Sequence, residues 1–293
     1  MVIRKFAAID IGSNAIRLLI NNVIEQKDKP TAFKKSELVR VPVRLGEDSF
    51  LRGEISERNL DRLVKTMCSF DLLMKVYGVE KYMACATSAL REANNGTEVI
   101  ERIKKESGIQ IKIIDGKEEA SIIASTDLKD LIKNDRFYLY VDVGGGSTEF
   151  TIFDKGNPVT SRSFEIGTVR ILNGLVKDTV WDEIKQWITS NMNVENKVEI
   201  IGSGGNINKL HKMSGRKIGQ PLSYIWLNAQ YHFLNSMKYE DRISELGLNQ
   251  DRADVIIPAT KIFLNAAKWS KAKKIHVPKI GLADGMIKTL YYQ

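Results

Sequence analysis

Two aspartates in this chain each close an apolar stretch and open a glycine-containing turn. Asp10 heads Asp10-Ile-Gly12-Ser13-Asn14, and Asp142 heads Asp142-Val-Gly144-Gly145-Gly146-Ser147-Thr148-Glu149. The surrounding segments, Phe6–Ile20 and Tyr138–Ile152, align without a gap. Turns of this kind expose backbone N–H groups that form an anion-binding concavity. Two of them would make a two-sided cradle for phosphate. In the first copy Gly12 is expected to supply positive φ and Asn14 to tolerate it; an ordinary hairpin turn is the plainer alternative. In the second copy three successive glycines at a strand end weaken the local structure, and close approach of backbone to a phosphate accounts for them.

Glu149 follows the second turn directly and opens another apolar stretch. A carboxylate there is costly to desolvate unless it has a partner or a task. Beside a phosphate cradle it could orient and deprotonate an attacking water; the alternative is a solvent-facing strand residue. A third cluster, Gly202-Ser203-Gly204-Gly205-Asn206, runs from an apolar stretch into a helical one. Helix N-termini take anions through their free N–H groups and dipole, although the spacing is not that of a GxGxxG fingerprint. Arg91, in Ala86-Thr-Ser-Ala-Leu-Arg-Glu-Ala93, follows an apolar stretch. A guanidinium fork suits phosphate, and a surface helix cation is the competing assignment.

Strands and helices alternate around these turns. Strands are expected at 4–10 and 15–23, with 32–45 extended. Ser56 should cap a helix that runs to Gly78, because apolar residues recur there at helical spacing. A strand over 81–87, a helix over 97–107 closed by Gly108, a strand over 109–114 and a helix from Gly116 to about 133 follow. Next come strands at 137–143, 148–154 and 158–165, helices at 168–176 and 180–192, and a strand at 197–201. Helices dominate after that, with a short strand at 274–277 and a terminal helix opening at Gly281. The pattern is α/β in two domains: residues 1–126 plus 283–293, and residues 127–282. Each presents one copy of the turn, and two domains joined directly by helices would share a cleft and close on a ligand.

Composition narrows the class. Of 293 residues 43% are hydrophobic and 27% charged, which is ordinary for a soluble globular protein with a large core. The formal net charge of +8 favours polyanions by long-range attraction. Its cations are spread along the chain without an aromatic-rich motif, which argues against nucleic acid as partner. His211, His232 and His276 are too far apart for zinc-ligand spacing. Cys68 and Cys85 form no CxxC, so a reducing, cytoplasmic setting is expected. No apolar run reaches roughly 18 residues, so no membrane span is expected. The N-terminal apolar run is broken by Asp10 and is not read as a signal peptide.

Together these segments resemble the exopolyphosphatase and guanosine-pentaphosphate phosphohydrolase family, within the actin, sugar-kinase and heat-shock-chaperone ATPase superfamily. The resemblance is carried by Ala8–Asn14, Val43–Gly46, Ala86–Ala93, Gly116–Ala120, Asp142–Glu149, Ile166–Arg170 and Arg252–Asp254, in the family's order. It implies two ribonuclease-H-like domains with the active site in an interdomain cleft. It also implies Mg²⁺-dependent removal of the terminal phosphate from polyphosphate or guanosine pentaphosphate, by a homodimer. Transferred by position, Glu149 matches the catalytic base and Arg91 the phosphate-facing arginine. Asp142, Asp10 and Glu149 would hold the metal. Gly12, Ser13, Asn14, Gly144, Gly145, Gly146 and Ser147 match the phosphate loops, with Gly204 and Gly205 in the third. The third loop lacks the family's usual threonines, and Ala283 stands where an arginine is frequent; both changes weaken anchoring of distal phosphates. Longer members carry further helical domains that hold long polymers, so a short substrate is expected. The rival readings are a kinase or ATPase of the superfamily, which would form ADP only with an acceptor, and a binder of polyphosphate or an alarmone nucleotide that releases no phosphate.

Overall fold

In a computed structural model, the protein is described over residues 1–124, 126, 131–192 and 197–293. It divides into two compact units, Met1–Thr126 with Leu282–Gln293 and Asp127–Gly281.

The first unit runs β1 (Val2–Ile11), β2 (Ile16–Gln26), β3 (Lys29–Val41), α1 (Leu45–Arg52), α2 (Glu57–Tyr77), β4 (Lys81–Ala86), α3 (Ser88–Glu92), α4 (Gly96–Ser107), β5 (Lys112–Ile113) and α5 (Gly116–Ala124). Its sheet has the order β3-β2-β1-β4-β5. The first three strands are antiparallel, and β4 and β5 join in parallel, the ribonuclease-H-like arrangement. β1 lies inside the sheet, and every residue from Phe6 to Ile11 is buried, which is why its sequence is apolar rather than alternating. α2 is delimited as its sequence requires. The Ser56 hydroxyl accepts from the Asn59 amide at its start, and Gly78, at φ 66°, ends it in the left-handed region.

The second unit runs β6 (Phe137–Val143), β7 (Thr148–Asp154), β8 (Asn157–Phe164), α6 (Thr168–Leu172), α7 (Asp178–Asn191), β9 (Val198–Ser203), α8 (Gly205–Met213), β10 (Leu222–Ser223), α9 (Tyr224–Ser236), α10 (Tyr239–Ser244), α11 (Gln250–Ala253), α12 (Ile256–Ser270) and β11 (Lys274–His276). The sheet order is β10-β11-β9-β6-β7-β8. From β8 to β11 it repeats the order and strand sense of the first unit. Its core joins Leu139, Val141 and Ile152 of the sheet to Ile262 and Phe263 of α12.

The last helix, α13 (Leu282–Tyr292), belongs to the first unit. A Cβ on Gly285 would lie 2.2 Å from the Ile122 carbonyl oxygen, so the helix approaches α5 as only glycine permits. Asp284 pairs with Lys35 at 2.8 Å, and the Tyr291 ring meets Phe33 edge-on at 5.5 Å.

Some elements differ from expectation. The extended stretch stops at Val41, and α1 begins at Leu45 after Arg44, whose φ is 62°. Its first turn is drawn in by tertiary bonds from the Arg44 and Gly46 amides to the Asn14 and Ser13 carbonyls. The strand foreseen over 109–114 pairs only at Lys112–Ile113. α6 ends at Leu172 because Gly174 turns left-handed at φ 67°. The expected continuation of α5 towards 133 falls partly on residues outside those described. Among the described residues no helix is long and apolar enough to cross a membrane.

Candidate functional site

The second glycine turn is a tight connection whose Gly144 amide donates to the Ser147 carbonyl at 3.0 Å. The flanking strands place Asp142 directly opposite Glu149. On the outer sides, Glu149 faces Ser163 of β8 and Asp142 faces Ser203 of β9. Residues directly opposite one another share a face of the sheet, so Ser163, Glu149, Asp142 and Ser203 form one row across four strands. Glu149 is only 2% exposed. Its Oε1 accepts from the Ser147 hydroxyl at 2.7 Å and the Ser163 hydroxyl at 2.9 Å. The Ser203 hydroxyl lies 3.1 Å from Asp142 Oδ2 and 2.8 Å from the Ile280 carbonyl.

Like charges directly opposite one another destabilise a sheet. A cation between them removes that cost, so the Asp142–Glu149 pair has the chemistry of a cation site. Mg²⁺ fits this donor set, because it binds through one or two carboxylates and keeps water and phosphate oxygens for the rest. Among the described residues no group of three or more His, Cys, Asp or Glu is arranged to enclose a metal; Asp142 and Glu149 belong to the second unit and Asp10 to the first.

The loop itself is held from behind. The Thr168 and Val169 amides at the start of α6 donate to the Gly144 and Gly145 carbonyls at 3.0 and 2.9 Å, and Arg170 Nε donates to the Gly146 carbonyl at 2.8 Å. With the carbonyls turned towards α6, the Gly145 and Gly146 amides have no protein acceptor among the described residues. Gly12, Gly144, Gly145 and Gly146 all lack positive φ, contrary to expectation for the first turn, and Asn14 lacks it too. Close approach explains Gly12 and Gly144 instead. A Cβ on Gly12 would lie 3.2 Å from the Ala15 carbonyl oxygen, and one on Gly144 would lie 2.9 Å from that of Ser147. Gly204 does need its freedom: its φ is 106°, and a Cβ would lie 2.9 Å from the Val143 carbonyl oxygen. It brings the third loop against the end of β6, with Gly205 opening α8.

The first turn repeats this geometry with different chemistry. The Gly12 amide donates to the Ala15 carbonyl at 3.3 Å, and Asp10 faces Arg17 across the hairpin. Arg17 Nη1 lies 3.1 Å from Asp10 Oδ2. Burial pushes the Asp10 carboxyl above its usual range, and the charge and hydrogen bond of Arg17 only partly offset it. On the other side, burial and then the Asp10 charge push the Cys85 thiol up to about 12, which leaves it unreactive. The row Arg40–Arg17–Asp10–Cys85 therefore matches Ser163–Glu149–Asp142–Ser203 strand for strand. Ser13 is 2% exposed and spends its hydroxyl on Ser88 at 2.9 Å, so this residue braces the turn against α3. Arg91, at the end of α3, donates to the Ile114 carbonyl at 2.9 Å, which tethers it beside the start of α5.

Glu119 was not singled out from the sequence. It lies in the first turn of α5, is 8% exposed, and acts electrostatically on Cys85 along with Asp10. The neighbouring Glu118 pairs instead with Lys112. Successive helical residues do not share a face, so of two adjacent glutamates only one could be solvated by that lysine. That doublet was the available signal.

The Ppx/GppA phosphatase family profile matches residues 24–291. Exopolyphosphatase 1 of Mycobacterium tuberculosis is 22% identical over 304 residues, covering 97% of this chain and 87% of that protein. Guanosine-5'-triphosphate,3'-diphosphate pyrophosphatase of Aliivibrio fischeri is 32% identical over 173 residues, covering 59% of this chain and 34% of that protein. The crystal structure of an exopolyphosphatase from Cytophaga hutchinsonii superposes with a TM-score of 0.82 at 24% identity, covering 98% of this chain and 97% of the other, so the fold is shared.

Proposed function

Because the chain belongs to the Ppx/GppA phosphatase family, we propose that it hydrolyses the terminal phosphoanhydride of inorganic polyphosphate, of guanosine pentaphosphate, or of both. One observation carries this reading: a carboxylate pair, half-buried Asp142 and buried Glu149, stands beside a glycine loop whose carbonyls are tied back and whose amides face away from α6. The Gly145 and Gly146 amides would receive oxygens of the reacting phosphoryl group, where fixed donors stabilise the charge that develops. Asp142 and Glu149 would hold Mg²⁺, which supplies charge neutralisation at that group when bound. Glu149 would orient the attacking water and accept its proton. Arg17 and Arg91 give the first unit a cationic bias suited to gripping phosphates.

A second assignment of the base is Glu119. Glu149 already directs Oε1 to two hydroxyls, whereas Glu119 is a buried glutamate in the first turn of α5 whose charge, like that of Asp10, acts on Cys85. We assign the protein to the cytoplasm as a homodimer. The free thiols Cys68 and Cys85 support the compartment, and light scattering tests the assembly.

The test is parallel turnover of short polyphosphate, long polyphosphate and guanosine pentaphosphate, with and without Mg²⁺. Metal-dependent phosphate release from at least one substrate is expected. Binding without release from any of them, or, when ATP is supplied instead, ADP formation only with an acceptor, overturns the reading.

A further inference from the structure

The row across the second sheet has a member that neither the glycine loop nor the carboxylate pair accounts for. Ser163 lies on β8, the edge strand, 14 residues from Glu149 in sequence and directly opposite it in register. Its neighbours Ser161 and Arg162 face solvent, while Ser163 is half-buried and donates to Glu149 Oε1. Ser147 donates to the same oxygen from the loop side. Two donors approaching one oxygen from two different backbone segments fix both rotation and tilt of the carboxylate, which one donor alone does not do. On the far side of the row Ser203 stands in the matching place beside Asp142, but its single proton is shared with the Ile280 carbonyl, the nearer acceptor at 2.8 Å. The corresponding position in the first unit is Arg40, opposite Arg17, so the hydroxyl occurs only where two carboxylates meet.

We propose that Ser163 is a positioning residue for the Asp142–Glu149 pair: by holding Glu149 Oε1 from the edge strand, it sets the carboxylate in the orientation that receives a divalent cation. This rests on the reading of that pair as a cation site. Ligating carboxylates are themselves hydrogen-bonded, and losing such an outer partner typically weakens metal binding about 10–100-fold. Ser163 touches neither water nor phosphate in this scheme, so its effect is on cation affinity first.

The experiment titrates Mn²⁺ by electron paramagnetic resonance, with and without imidodiphosphate as an uncleavable phosphate chain. It compares the wild type with Ser163→Ala, Ser163→Thr and Ser203→Ala, with circular dichroism reporting folding. Ser163→Ala should weaken Mn²⁺ binding about 10–100-fold, Ser163→Thr should restore it, and Ser203→Ala should weaken it less. In turnover, the Mg²⁺ concentration for half-maximal rate should rise by the same factor in Ser163→Ala. A folded Ser163→Ala protein that binds Mn²⁺ within twofold of wild type overturns the proposal. So does a wild type that binds no Mn²⁺ under either condition, or a larger loss from Ser203→Ala than from Ser163→Ala. If the Ala variant does not fold, failure of the folded Ser163→Thr protein to bind Mn²⁺ like wild type overturns it equally. Mn²⁺ binding that depends on Ser163 in a protein releasing no phosphate would sustain this inference while refuting the hydrolase reading.

Discussion

Gly167 gives the sharpest test of how the glycine loop is built. Its φ is −148°, an extended conformation open to any residue, so replacing it introduces no backbone strain. Sterics alone forbid a side chain. A Cβ would lie 2.3 Å from the Gly145 carbonyl oxygen, 2.4 Å from its carbon and 2.5 Å from the Gly146 nitrogen, about 1 Å inside ordinary contact on each. All three are backbone atoms, with no flexible end to swing aside. In Gly167→Ala the Gly145–Gly146 peptide must therefore move by about that distance, or α6 must. Overpacking of this kind costs about 1–3 kcal/mol, and a displacement of about 1 Å at a positioned group can cost on the order of 10²-fold in rate. The assay pairs a urea melt with kcat/KM on polyphosphate. The control is Gly78→Ala, where a Cβ meets nothing within 4 Å but φ is +66°. That variant should lose on the order of 1 kcal/mol of stability and keep its kcat/KM. Gly167→Ala with stability and kcat/KM both within twofold of wild type would refute the claim that α6 sets the loop.

Other expectations follow from single groups. Glu149→Gln should fold and lose about 10²–10⁴ in kcat; if its turnover is normal while Glu119→Gln is inactive, the base is Glu119. Asp10 has its carboxyl pushed up by burial, so its ionisation costs stability above the folded pKa, and that cost fades as pH falls towards 3.8. Asp10→Asn should accordingly resist urea better than wild type at pH 8 and equally below pH 3.8; a weaker Asp10→Asn at pH 8 would show that the Arg17 pair outweighs burial. Glu199 behaves in the opposite sense. Burial works against its charge, but the His276 hydrogen bond and the charges of His276, Arg136 and Lys274 hold the carboxyl below 4.5. Its contribution is present above pH 4.5 and lost as pH falls through the folded value, so Glu199→Gln should be destabilised at pH 7 with the gap closing on acidification. A gap that widens in acid would contradict that sign.

The duplication was legible because it is written in local pattern: a buried strand, a carboxylate and a turn, twice, at a fixed offset. Capping was equally legible, since Ser56 and Gly78 act on backbone groups within a few residues. What the sequence hid depends on partners distant along the chain. The glycine loop reads as a phosphate contact, but its backbone at Gly145 and Gly146 also packs against Gly167, about twenty residues later, where only a glycine fits. Ser13 reads as a loop hydroxyl offered to ligand, and it is engaged by Ser88. α1 was missed because its first turn is fixed by the Ser13 and Asn14 carbonyls rather than by its own composition. The assignment of Arg17 opposite Asp10 and Glu149 opposite Asp142 could be foreseen from the aligned copies; the serines outside them needed the register.

α13 has a consequence for synthesis. The sheet of the first unit is complete in sequence by Ile113, yet its covering helix is translated only after all of residues 127–281. At about 5–20 residues per second that interval is on the order of ten seconds or more. Throughout it, the surface that will receive Leu282, Met286, Ile287 and Leu290 has no cover from its own unit. The second unit is contiguous and can finish folding first. Nascent chains should therefore pass through a state with one mature half and one half that still depends on chaperones. Lesions in α13 would then appear as poor soluble yield before they appear as lost turnover.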